Sequence, residues 1–158
     1  MAEVLLETRG LSKFFKTAGG LLHAVEDVDL ALGAGRTLGV VGESGCGKST
    51  LGRTVLRLEK PSAGQVLFRG EDISALGRRQ LRSARRDMQM VFQDPYSSLD
   101  PRMTVFDLVA EPLREICRGL PRAQARERVL DTMELCGLPA EYADSYPHEL
   151  DGGRRQRV

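Results

Sequence analysis

Gly42-Glu43-Ser44-Gly45-Cys46-Gly47-Lys48-Ser49 decides the reading of this chain. The octapeptide fits G-x-x-x-x-G-K-[ST], the phosphate-binding loop, and its flanks supply the context that the pattern needs. Thr37-Leu38-Gly39-Val40-Val41 before it reads as a short buried strand, and Thr50 to Leu58 after it as a helix with Leu51, Val55 and Leu58 on one face. Glycines let the backbone curl until successive N–H groups point inward at phosphate oxygens. The positive end of the following helix adds to the attraction. In such a loop Gly42, Glu43, Ser44, Gly45, Cys46 and Gly47 contribute main-chain groups, and Thr50 stands at the helix start. Lys48 reaches the β- and γ-phosphates, and the Ser49 hydroxyl is a Mg²⁺ ligand. The expected ligand is therefore a nucleoside triphosphate with Mg²⁺, in this chain or in the one it descends from.

Working outward, the 158 residues suit one domain, with 41% hydrophobic residues to build a core. A net charge of +1 excludes a global electrostatic pull toward nucleic acid or anionic membrane. No apolar run approaches a membrane span, and Met1-Ala2-Glu3-Val4 lacks the basic-then-apolar layout of a signal peptide, so a cytoplasmic location is expected. Cys46, Cys117 and Cys136 have neither C-x-x-C spacing nor a histidine nearby to complete a metal site. Cys46 reads as a small side chain in the loop, and Cys117 and Cys136 as core or near-core residues of helices. His23 and His148 have no recognisable catalytic partners and read as structural.

Val4 to Thr8 and Ala24 to Leu32 carry the period-two pattern of strands, the second with Val28, Leu30 and Leu32 on one face. Thr17-Ala18-Gly19-Gly20 is a loop between them, and Gln65 to Arg69 is a further strand after the turn Pro61-Ser62-Ala63-Gly64. Arg78 to Arg86 reads as a helix whose arginines form a solvated face. Met88-Gln89-Met90-Val91-Phe92 reads as a strand broken by Asp94-Pro95. Thr104 can cap a helix to about Arg118; Ala125, Val129, Met133 and Cys136 recur at helical spacing, and Gly137-Leu138-Pro139 ends that second helix.

A phosphate-binding loop alone names no function. Two further segments narrow the reading. Met90-Val91-Phe92-Gln93-Asp94-Pro95 resembles the Q-loop of ABC-type ATPases, and Tyr146-Pro147-His148-Glu149-Leu150-Asp151-Gly152-Gly153-Arg154-Arg155-Gln156-Arg157 resembles the ABC signature, L-S-G-G-Q followed by R-Q-R. Asp94 to Val105, with Glu111-Pro112-Leu113, is similar to the ATP-binding subunits of bacterial oligopeptide, dipeptide and nickel importers. The resemblance implies an α/β fold: an incomplete P-loop NTPase domain of ABC type over residues 1–158. It would carry an N-terminal antiparallel β-subdomain plus loop-bearing core (about 1–94) and a helical subdomain (about 95–158) ending in the signature.

By the same resemblance, Phe15, or failing that Phe14, stacks on adenine, and Gln93 touches Mg²⁺ or the attacking water. Leu150, Asp151, Gly152, Gly153 and Arg154 serve the nucleotide of an opposite ATP-binding subunit. The implied partners are transmembrane permease subunits, a second ATP-binding subunit and, indirectly, a solute-binding protein, without nucleic acid, and the implied place is the inner face of the cell membrane. The implied function is coupling ATP binding and hydrolysis to import of peptides or a similar solute. The alternatives are a non-catalytic remnant and an ABC-type module of nucleic-acid metabolism.

Two departures stand out. Asp151 replaces the family's serine and Arg154 its glutamine. An ionised carboxylate cannot donate to a phosphate as a hydroxyl can, so Asp151 is expected to turn back and cap the helix at Gly152-Gly153, with Arg154 neutralising it. The sequence also stops at Val158, inside the signature helix and before any Walker B strand or switch histidine. These 158 residues alone are therefore expected not to hydrolyse ATP.

Overall fold

The computed structural model describes residues 3–92, 98–117 and 119–158, and the chain divides into two compact units, residues 1–90 and 91–158. The first unit is built on a long hairpin, β1 (Val4–Thr17) and β2 (Gly20–Gly33), running antiparallel from Val4 opposite Gly33 to Thr17 opposite Gly20. The turn at Ala18-Gly19 is where the sequence places it. The expected gap between two short strands is bridged by Arg9 to Lys16, which continue β1 through several register shifts. β3 (Ala63–Phe68) pairs with the other edge of β1, and the short β4 (Glu71–Asp72) with β3, giving an antiparallel sheet in the order β2-β1-β3-β4.

Helix α1 (Lys48–Val55) follows the loop, and Leu11, Val55, Val66 and Ile73 form the buried core of this unit, with Leu51 and Phe68 packed against it. α1 ends earlier than its apolar pattern suggests. Arg57 turns into left-handed backbone (φ 56°), and its buried guanidinium donates from Nε to the Ile73 carbonyl at 3.0 Å. That anchor reverses the chain, and Leu58 stays outside the helix, half exposed. α2 (Arg78–Ala84) and a 3-10 turn (Arg85–Asp87) complete the basic segment, where Arg85 donates to the Arg57 carbonyl.

Two expected strands are absent. Residues 36–43 and 88–92 have no regular secondary structure and join no ladder among the described residues, and Val41 (96%) and Val91 (90%) are almost fully exposed. An apolar, β-branched run satisfies the composition of a strand, but a strand also needs a neighbour for its N–H and C=O groups.

In the second unit α3 (Val105–Ile116) begins at Thr104, whose hydroxyl accepts from the Asp107 N–H at 3.2 Å. α4 (Arg122–Leu135) buries Val129 and Met133 and ends at Gly137 (φ 70°). Val105, Ala110, Val129, Met133, Leu138, Ala143 and Leu150 make one core. Cys117 is half buried, but Cys136, expected near the core, is exposed: it caps the C-terminus of α4, one turn past the buried stripe. Short 3-10 turns, Ala140–Tyr142 and Pro147–Glu149, lead to α5 (Gly152–Arg155).

A candidate nucleotide-binding loop

The loop that opened the sequence reading ends at the head of α1. Gly45 and Gly47 both take left-handed backbone (φ 81°), and Gly47 is the N-cap of α1. No side chain caps α1, and no acidic residue lies in its first turn. The first N–H groups of a helix have no intrahelical acceptors, and the helix dipole places partial positive charge there. Lys48 folds over the loop, its Nζ donating to the carbonyls of Gly42 and Glu43 at 2.8 Å each. An ammonium so placed needs only a side-chain rotation to meet a phosphate.

Packing fixes where this loop sits. A Cβ built on Gly47 would stand 1.9 Å from the Ala24 carbonyl oxygen, so only glycine allows the loop to lie against β2. A Cβ on Gly42 would stand 2.7 Å from Cys46 Sγ, which gives Cys46 a packing role inside the loop. Ser49, on the first turn of α1, is exposed, and Thr50 is half buried. The residues present fit a phosphate chain. They fit a metal ion less completely: among the described residues no three His, Cys, Asp or Glu side chains group to hold one, and Ser49 offers a single hydroxyl. Gln93, the other expected metal contact, lies outside the described residues.

The two phenylalanines diverge because successive strand residues face opposite sides. Phe14 stacks on His23, its cross-strand partner, with ring centroids 4.3 Å apart. Phe15 stands half buried with the Lys13 ammonium 4.7 Å over its ring. Beside the loop lies a hollow of about 360 Å³ whose lining includes His23, Glu26, Val41, Cys46, Gly47 and Lys48. Sequence reasoning left His23 and Glu26 aside. The packing of Gly47 against Ala24 brings them to the loop, and no local motif encodes it.

At the other expected site, Leu150 is buried in the helical core while Asp151 caps α5. Asp151 Oδ1 accepts from the Arg154 N–H at 2.8 Å, and Oδ2 from Arg154 Nη1 at 2.6 Å. The Arg154 backbone N–H, and next the Arg154 charge, hold the Asp151 carboxyl below its ordinary range. The expected capping and pairing are both present. Arg154 also lies 4.6 Å over the Tyr142 ring, a contact that sequence reading missed. Gly152 and Gly153 open the helix with their backbone close to the Asp151 carboxylate.

Residues 25–158 match the ABC transporter family. The chain belongs to that family. Over its whole length it is 46% identical to the oligopeptide transport ATP-binding protein OppF of Bacillus subtilis, covering 52% of that protein. It is 47% identical to a probable peptide ABC transporter ATP-binding protein of Sinorhizobium fredii, again over its whole length and covering 46% of that protein. The chain thus spans about half the length of the curated relatives it matches. Among solved structures it resembles the ATP-binding cassette MJ0796, described as a dimer in a post-hydrolysis state bound to ADP and Pi. The TM-score is 0.85 at 29% identity, over 97% of this chain and 66% of that one. It also resembles cbiO1 of Clostridium perfringens, described as part of the ABC transporter complex cbiONQ, with a TM-score of 0.74 at 26% identity over 98% of this chain and 59% of that one. The fold is accordingly that of an incomplete ABC nucleotide-binding domain. No helix among the described residues is long and apolar enough to cross a membrane.

Proposed function

We propose that this chain is the nucleotide-binding portion of an ABC importer subunit that couples ATP binding and hydrolysis to uptake of peptides or a similar small solute. The observation that carries the reading is the uncapped head of α1 with Lys48 folded over its loop, in a chain alike from end to end to peptide-transport ATP-binding proteins. Backbone groups from Gly42 to Gly47, with the first turn of α1 through Thr50, hold the phosphates. Lys48 exchanges its loop carbonyls for phosphate oxygens, a charge-assisted contact. Phe15 is the residue that the family resemblance sets against the base.

Bound Mg²⁺ would offset phosphate charge. Ser49, and Gln93 on the γ-phosphate side, would touch it, while the phosphates and water supply the rest of its oxygen shell. Hydrolysis draws on carboxylates beyond this set, so the 158 residues bind nucleotide without turning it over. Leu150 to Arg154 face the nucleotide of a second ATP-binding subunit. Asp151 spends both carboxylate oxygens on Arg154 and is thereby kept from repelling that nucleotide's phosphates. Permease subunits hold the protein at the cytoplasmic face of the membrane and convert its closing and opening into transport, with a solute-binding protein acting through them.

Calorimetry with magnesium-ATP tests the reading. Loss of a hydrogen bond to a charged group costs about 1.5–3 kcal/mol, so Lys48→Ala should weaken binding by at least about tenfold. No heat from the unaltered chain, or an unchanged isotherm in Lys48→Ala, would overturn it.

A further inference from the structure

We propose that a hollow beyond the C-terminal end of α1, with the Arg57 guanidinium in its wall, binds a small oxyanion, a phosphate or a carboxylate, independently of the loop at the other end of that helix. α1 is eight residues long, so about 12 Å of helix separates Arg57 from the loop. The hollow measures about 410 Å³, in the range of small-molecule sites, and its lining includes Arg57, Lys60, Ser62, Gly64 and Ser74. Both charged residues of that lining are cations, and no carboxylate joins them.

The guanidinium is buried with donors to spare. Arg57 is 8% exposed, and its Nε donates to the Ile73 carbonyl at 3.0 Å. Among the described residues nothing accepts from its Nη groups. No fully buried side-chain nitrogen there lacks a partner, so these groups keep contact with solvent, and the hollow that Arg57 lines supplies it. The end of α1 does not claim them. The carbonyls of Gly52, Arg53 and Thr54 accept from the amides of Leu56 to Glu59, and that of Arg57 accepts from Arg85. Asp72 acts on Arg57 through its charge, but its oxygens accept from the Ser74 amide at 2.8 Å and from Gln65 Nε2 at 2.9 Å. Burial, and next the charge of Arg85, lower the Arg57 pKa, as they do for a buried cation whose counter-charge is incomplete. Lys60 is exposed at the rim, and Glu59 beside it pairs with Lys13 at 3.1 Å. A guanidinium offers parallel N–H groups that match two oxygens of a carboxylate or phosphate, and the Lys60 ammonium adds a second positive charge.

NMR titration of the full chain tests the site, read at the Arg57 Nε–H, which the Ile73 carbonyl shields from exchange. Inorganic phosphate and acetate are each compared with sodium chloride at equal ionic strength. A saturable shift with phosphate or acetate, retained in Lys48→Ala, supports the site, and the tighter ligand names the oxyanion. Lys60→Glu, a change at an exposed position, should weaken that binding at least about tenfold, the low end for losing one hydrogen bond to a charged group. Lys60→Arg, which keeps the charge, should retain it. No saturable shift with either anion, or the same shift with chloride, would overturn the proposal. So would an affinity unchanged in Lys60→Glu. A shift that disappears in Lys48→Ala would assign the anion to the loop and overturn it equally.

Discussion

Replacing Gly47 with alanine should damage both the fold and the cradle, and two other glycines make the effect measurable. At φ 81° an L-residue is strained by roughly 1–2 kcal/mol. Its new Cβ would also stand 1.9 Å from the Ala24 carbonyl oxygen, a main-chain atom that cannot swing aside as a side chain could. Displacing loop or strand to relieve that overlap resembles overpacking, which costs about 1–3 kcal/mol. The sum for Gly47→Ala is roughly 2–5 kcal/mol. Gly45 has the same φ of 81° and nothing within 4 Å of its Cβ position, so Gly45→Ala should cost only the roughly 1–2 kcal/mol of backbone strain. Gly52 lies within α1 with open space around it, and Gly52→Ala should stabilise by about 0.5–1 kcal/mol. Urea unfolding followed by circular dichroism reads all three at constant slope. A Gly47→Ala loss no larger than that of Gly45→Ala would show that the loop does not lie against β2, and with it would fall the spacing that brings His23 to the cradle.

Acid should loosen the helical unit through identifiable carboxylates. The Arg114 guanidinium, first by its hydrogen bond, and the Thr104 hydroxyl hold Asp107 below its ordinary range, and the Arg154 amide does the same for Asp151. A depressed folded pKa means that this stabilisation is fully present above the unfolded value, near 3.9, and is lost as pH falls through the lower folded value. Helical ellipticity should therefore fall below about pH 4. In Asp107→Asn that pH dependence should flatten, and an identical acid profile in the variant would exclude Asp107 as a cause. Met133 is fully buried in the helical core, so Met133→Ala should destabilise this unit by about 2–5 kcal/mol in urea unfolding, and a change under about 0.5 kcal/mol would contradict that packing.

Features encoded by near neighbours were legible in the sequence. Thr104 capping α3, Gly137 ending α4 and Asp151 capping α5 each depend on residues within a turn, and each occurs as read. The Val129 and Met133 stripe is buried as its spacing requires, although the same spacing carried Cys136 past the helix end into solvent. What the sequence hid depends on distant partners. Arg57 stops α1 because a carbonyl at Ile73 accepts its Nε, and nothing near Arg57 announces that acceptor. The surroundings of Phe14 and Phe15 were hidden in the same way: the register gives Phe14 the His23 ring and leaves Phe15 beneath Lys13. Arg154 over Tyr142 is equally non-local.

The irregular residues on the N-terminal side of the loop sharpen that distinction. Thr37 to Val41 looks like the strand that would present the loop, yet it pairs with nothing described, while the loop beyond it has a definite conformation. The loop must therefore be held from elsewhere. From within, Lys48 ties the carbonyls of Gly42 and Glu43 together. From beyond, α1 is seated in the Leu11–Val55–Val66–Ile73 core and Gly47 rests on Ala24 of the hairpin. A strand is a property of a pair of segments, and reading one segment cannot create its partner. A turn through left-handed glycines is a property of consecutive residues and of the helix they start, so the octapeptide could specify it. The same division explains why the loop's conformation was legible in the octapeptide, while the hollow beside it emerged only once the packing of Gly47 on Ala24 was known.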